Sequence, residues 1–249
     1  MRLYWNRDLR LLKNRHYTQY AIWATVSIIL CLLAFKWDAV PFRFDQFLYF
    51  RGQIWEPFVM AAPLFFLGLV INAYKMVTST NPPEVHKNAK KLPLTGFVTS
   101  LMAGVMEELT FRWVLFFGCM GMIWVIDTVL LEGMVRNYII ESGYWLNTFA
   151  TFGATPYAMN PATWTIGIAV LASNWKFQEG HMYQGLTGFI FSWIGGMYFF
   201  AIMFQHGLYA AMLVHFAFDM FVFIMLMIDI WIEKQLGNIN ASNKIYKWY

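Results

Sequence analysis

Long apolar runs broken by short polar stretches dominate the pattern along the chain. A membrane-crossing helix needs about 20 consecutive apolar residues. Runs of that kind fall at Tyr17–Phe35, Trp55–Val77, Leu94–Ile126, Pro161–His181, Gly185–Phe204 and Gly207–Ile232. Between the third and fourth lies a mixed segment, 127–160, carrying aromatics, glycine and scattered charge. It reads as a re-entrant pair, an interfacial helix or one further short span. Asp127, Glu132 and Glu141, inside it, are expected to face solvent. The Asn81-Pro82-Pro83 turn separates helices, and no long Ser-, Gly- or Pro-rich linker divides the chain. The expectation is an all-α fold: a polytopic helical membrane bundle of about six core helices, in one domain over 1–249.

Composition agrees with that pattern. Hydrophobic residues make up 59% of the 249 and charged residues 13%, against roughly 45–50% and 25% in soluble domains. A globule of this size has too little interior for so much apolar surface, and disorder is excluded by the same figures. The net charge of +4 therefore speaks to membrane orientation and not to nucleic acid. Twelve Lys and Arg lie in the N-terminal segment, the 77–92 loop with Lys75, and the C-terminal tail, while Lys36, Arg43, Arg51 and Arg136 lie in the opposite loops. The positive-inside rule then predicts both termini in the cytoplasm, with six crossings. Arg2 to Arg15 before the first apolar run imitates a signal peptide, but no small-residue cleavage site follows it, so the run is taken as a span. Cys31 and Cys119 sit within apolar runs and read as reduced packing residues.

Charge inside those runs changes the picture. A charged side chain at the centre of a span costs about 2.5–3.5 kcal/mol on insertion scales and is usually paired or functional. Glu107-Glu108-Leu109-Thr110-Phe111-Arg112 lies in the third run. Glu108 and Arg112, four apart, share a helix face and pair acid-before-base, which explains them as a structural pair but leaves Glu107 without an intrahelical cation. Ala103 and Gly104, one turn back, leave room for a neighbouring helix beside it. Phe177-Gln178-Glu179-Gly180-His181 closes the fourth run; a lone histidine at a helix end is ordinarily a hydrogen-bonded structural residue. His215 and Asp219, four apart in the last run, project from one otherwise apolar face. They are either a packing pair or half of a shared polar interior. Lys176 is expected to snorkel from its span end, and His16, His86 and the Gln205-His206 pair are expected at membrane faces. No nucleotide-binding glycine loop, nucleophile elbow or H-E-x-x-H zinc helix is present.

Taken in order, E-E-x-x-x-R at Glu107–Arg112, F-x-x-x-H at Phe177–His181 and H-x-x-x-D at His215–Asp219, each on its own span, resemble the CAAX protease and bacteriocin-processing family of intramembrane glutamate-dependent endopeptidases. The likeness covers roughly Leu94 to Ile230, within a motif-bearing core of 94–232. It implies Glu107 as general base toward a water that His181 also holds. His215 and Asp219 would stabilise the oxyanion, with Glu108 and Arg112 supporting the site. It implies no metal and no other cofactor.

The chain departs from the family pattern twice. Asp219 stands where the family commonly has Asn, and a carboxyl group donates a hydrogen bond only when protonated. We expect it to orient His215. The 65 positions between Arg112 and Phe177 also exceed the family's spacing, which makes 127–160 an insertion that covers or gates the chamber.

The function expected from the resemblance is hydrolysis of a peptide bond near the membrane. The substrate would be a leader or signal peptide, as in peptide maturation or bacteriocin self-immunity, or a prenylated CAAX protein. Expected partners are membrane lipids, the peptide or lipidated protein substrate, and a membrane-protein partner; nucleic acid is not among them. The expected location is the cytoplasmic membrane of a prokaryote. The alternative of another class is a non-catalytic membrane scaffold or regulator that keeps the polar chamber for packing. A zinc hydrolase ranks lower because no ligand pair has H-x-x-x-H spacing, and a transporter lower because no inverted repeat is apparent.

Overall fold

The computed structural model describes residues 45–78, 89–134 and 164–245. The first expected span, Tyr17–Phe35, His16 and His86, and most of the 127–160 segment, including Glu141, lie outside them. Among the described residues every regular element is helical. A single turn at Asp45–Leu48 precedes α1 (Glu56–Thr78). The long α2 (Leu92–Leu130) follows, then α3 (Trp164–Gly180), α4 (Gly185–His206) and α5 (Leu208–Ile245). Four of these, α1, α2, α4 and the Leu208–Gly237 part of α5, are long and apolar enough to cross a membrane. The molecule is a helical membrane protein. At 17 residues, α3 is shorter than a typical span of about 20.

Two boundaries differ from the pattern of apolar runs, one of them the end of α5, expected at Ile232 and found at Ile245. The third run was expected to end at Ile126, but α2 continues to Leu130 and stops where Glu132 and Gly133 take positive φ (50° and 84°). Asp127, expected to face solvent, is buried at 3% exposure, whereas Glu132 is exposed. The local sequence announces polarity here, but the neighbours that cover Asp127 are supplied by the fold.

Small residues set the helix spacing. Gly96, Ser100 and Gly104, four apart on α2, are buried. At Gly104 an added Cβ would lie 2.9 Å from Phe216 N and 3.0 Å from Met212 O, backbone atoms of α5. Close backbone approach through small residues is how helices associate where lipid removes the hydrophobic drive. This contact aligns α2 and α5 antiparallel, with Gly96 against Phe223 and Gly104 against Phe216. Aromatic residues fill the rest: Phe116, Phe117, Phe200 and Met203 are almost wholly buried at the centre, and edge-on ring pairs such as Phe116–Phe200 at 5.5 Å join α2 to α4.

A polar clasp holds the α4–α5 corner. Arg51 donates through Nη2 to the carbonyls of Phe204 (2.6 Å) and Met203 (3.4 Å), and its backbone N–H donates to His206 O. A cation here satisfies free carbonyls at a helix C-terminus and opposes the dipole. Gly207, at φ 94°, is required, because a Cβ would sit 2.0 Å from Tyr49 O.

Candidate functional site: a glutamate between two histidines

The site begins with a change of helical winding. Residues Glu108–Leu115 of α2 are π-helical, with the Phe116 N–H reaching Phe111 O, five residues back. Such wide turns are rare and concentrate at functional positions. This one carries both Glu108 and Arg112 to the interior, where each is fully buried. Glu108 Oε1 lies 3.2 Å from Arg112 Nη1 and also accepts a 2.7 Å hydrogen bond from His215 Nδ1 of α5. The Arg112 guanidinium stands over the Phe177 ring at 4.1 Å, with Phe199 and Phe200 at 5.4 and 5.5 Å. Desolvated cation–π contacts of this kind are worth about 2 kcal/mol.

Glu107, the last residue before the π turn, points into the opening. Its Oε2 is 4.0 Å from His181 Nε2 and 3.8 Å from His215 Nε2. Asp219 Oδ2 is 3.8 Å from the same His215 Nε2. Each histidine is anchored by its other nitrogen: His181 Nδ1 donates to Phe177 O at 2.7 Å, and His215 Nδ1 to Glu108. The hydrogen bond at one ring nitrogen sets the tautomer, so the atom that each ring turns toward Glu107 is Nε2. Phe199 stacks on His215 at 4.4 Å and 16°, fixing the ring plane.

Sequence spacing placed these groups on three helices, and the fold brings all of them together. The separations of 3.8–4.0 Å exceed a hydrogen bond. Exposure divides the cluster: Glu107 (32%), Asp219 (27%) and His181 (20%) are open, while Glu108, Arg112 and His215 are sealed behind them. The hydrogen bond that orients His215 comes from Glu108, not from Asp219, whose contact is longer and on the opposite nitrogen. No group of three metal-ligating side chains among the described residues is arranged to hold a metal ion.

Three polar residues of α3 escaped attention in the sequence. Ser173 Oγ donates to Phe111 O of the π turn; Asn174 Nδ2 donates to Trp193 O (3.1 Å) and Gln178 Nε2 to Phe189 O (3.0 Å). All three are buried. Their signal was present, since Ser173 and Asn174, with Gln178 one turn beyond Asn174, interrupt an apolar run, but their partners are backbone carbonyls that no motif reveals. Elsewhere, Lys176 pairs with Glu179 at 2.7 Å on the exposed side, and His206 lies 3.8 Å from Glu56 and 3.1 Å from Arg51 O.

No family model, curated protein or solved structure matches the chain. The fold and site define a class nonetheless: a helical membrane protein with a half-open glutamate–histidine cluster backed by a sealed Glu–Arg pair.

Proposed function

We propose that the protein is an intramembrane endopeptidase of the glutamate-dependent type its three motifs resemble. The observation that carries this reading is Glu107 Oε2 within 4.0 Å of two imidazole Nε2 atoms, one from α5 and one from the turn that closes α3, each ring held by its Nδ1. Glu107 takes a proton from a water, His181 holds the same water, and the hydroxide adds to the carbonyl carbon of the peptide bond. The oxyanion forms beside His215 and Asp219. With Nδ1–H committed to Glu108, His215 donates from Nε2 only as the imidazolium, and Asp219 donates only when protonated. Collapse breaks the C–N bond, and the proton taken from water passes to the leaving amine. The sealed Glu108–Arg112 pair keeps the His215 ring fixed through these steps.

The substrate we infer is a peptide cut near its membrane end: a leader or signal peptide, or a prenylated C-terminus. Six core helices with both termini in the cytoplasm, a prokaryotic cytoplasmic membrane, and a gating role for 127–160 complete the reading.

The test uses purified full-length protein in nanodiscs. Two quenched-fluorescent peptides serve as probes, one ending in a prenylated cysteine and one an unmodified leader-like peptide with an apolar half. Cleavage of either, lost in Glu107→Gln, supports the enzyme and selects its substrate class. A second reading, a non-catalytic scaffold, draws on the burial of Glu108 and Arg112, which tie helices together whatever the chemistry. It is favoured if neither probe is cut and Glu107→Gln leaves the processed peptides of the native membrane unchanged.

A further inference from the structure

Behind the half-open cluster, the Arg112 guanidinium and a polar group that none of the three motifs contains both border Gly196. Asn174, wholly buried on α3, is oriented by its Nδ2 hydrogen bond to Trp193 O of α4. That bond turns Oδ1 the other way. Among the described residues, Oδ1 has no hydrogen-bond partner, and neither do Nε, Nη1 and Nη2 of Arg112. The two groups converge at Gly196 of α4. A Cβ built there would lie 1.8 Å from Asn174 Oδ1 and 3.0 Å from Arg112 Nη2. An acceptor with nothing to accept and a donor with nothing to donate to thus share the space that a side chain at 196 would fill. Buried polar groups of opposite kind so placed belong together, since each is costly alone.

We infer that Asn174 is a positioning residue for Arg112, seated through the gap that Gly196 leaves, and that it sets the reactive geometry of His215 through Arg112 and Glu108. Glu108 supplies the ion pair, 3.2 Å from Nη1, and Asn174 Oδ1 supplies the acceptor toward Nη2 across the gap at Gly196. The guanidinium is then held between two helices as well as over the Phe177 ring. Glu108 Oε1 contacts both Arg112 and His215, so a guanidinium free to swing would carry Glu108 with it and tilt the His215 ring. Its Nε2, 3.8 Å from Glu107, would shift in turn. The catalytic consequence rests on the proposed endopeptidase; the positioning does not.

The experiment therefore reads the ring directly. Full-length protein labelled with 15N-histidine is placed in nanodiscs, and the His215 ring nitrogens, one set among five histidines, are assigned by their loss in His215→Gln. Asn174→Leu removes the acceptor at similar volume, and Gly196→Ala wedges a methyl between the two groups while leaving both intact. Each is expected to move the His215 signals. On whichever probe peptide is cut, each should lower kcat by about 10- to 100-fold with KM unchanged, as small misplacements do. The double variant should be little worse than either single, because both remove one contact. Gly196→Ala, which keeps Asn174, its Nδ2 bond to Trp193 O and Arg112 all in place, carries the test if Asn174→Leu does not fold. Unmoved His215 signals in folded Asn174→Leu or Gly196→Ala overturn the inference. If Glu107→Gln cuts as fast as wild type, the endopeptidase reading fails, while the ring signals still decide on Asn174.

Discussion

Glu108 and His215, 107 residues apart, are joined within the sealed half of the site by a 2.7 Å hydrogen bond from Nδ1 to Oε1. The same carboxylate oxygen faces Arg112. Removing the charge of Glu108 leaves a buried guanidinium uncompensated, which typically costs about 3–5 kcal/mol. Glu108→Gln is therefore expected to lower the Tm sharply in detergent. Glu108→Gln with Arg112→Met, which removes the orphaned cation, should recover part of the loss. A double variant no more stable than Glu108→Gln would show that the pair is not what holds these helices.

Glu107→Gln should behave oppositely. Its carboxylate is a third exposed and makes no contact shorter than 3.8 Å in the cluster, so folding stability should change by less than about 0.5 kcal/mol, as for surface substitutions. Cleavage of the probe peptides should fall by about 100-fold or more, the worth of a positioned general base. Loss of both stability and turnover would move Glu107 to a structural role.

Chelators separate direct activation of water by Glu107 from metal chemistry. Cleavage is expected to persist in excess EDTA and 1,10-phenanthroline, measured on the same probe peptides. Complete loss, restored by added zinc, would favour a metal-assisted hydrolase using Glu107, His181 and His215.

Helix approach gives a prediction independent of chemistry. Gly104→Ala places a methyl against the α5 backbone, which cannot turn aside, whereas Gly96→Ala meets only the Phe223 side chain. Overpacking costs about 1–3 kcal/mol, and the larger loss of Tm should fall on Gly104→Ala. Equal effects would mean that α2 and α5 are not spaced by that contact.

Arg51→Ala should lower stability by about 1 kcal/mol, the worth of a cation at a helix C-terminus, and by less at high salt. Thermal unfolding at two ionic strengths measures both. An unchanged Tm would mean that the α4 carbonyls at Met203 and Phe204 find other partners when Arg51 is gone.

Much was legible along the chain because some of the physics is local. Apolar runs mark spans by length alone: the α1 and α4 runs appear as helices within two residues of their expected ends, and α5 starts one residue from its expected start. Four-residue spacing likewise identifies pairs on one helix, so Glu108–Arg112 and His215–Asp219 could be read before any fold was known. Residues that oppose the apolar background, Glu107 and His181 among them, announce themselves by the cost of putting them there.

What only the tertiary structure decided depends on how helices cross. The π turn at Glu108–Leu115 is invisible to a period assumed constant, yet it carries Glu108 and Arg112 inward together. Asp127, polar and expected to face solvent, is buried at 3% exposure. Above all, Asp219 was expected to orient His215 from the next turn, but the fold brings Glu108 of another helix closer, at the other ring nitrogen. Sequence determines which side chains share a face of one helix. The contact of Gly104 with the α5 backbone determines which faces meet, and a hydrogen bond follows the nearer atom.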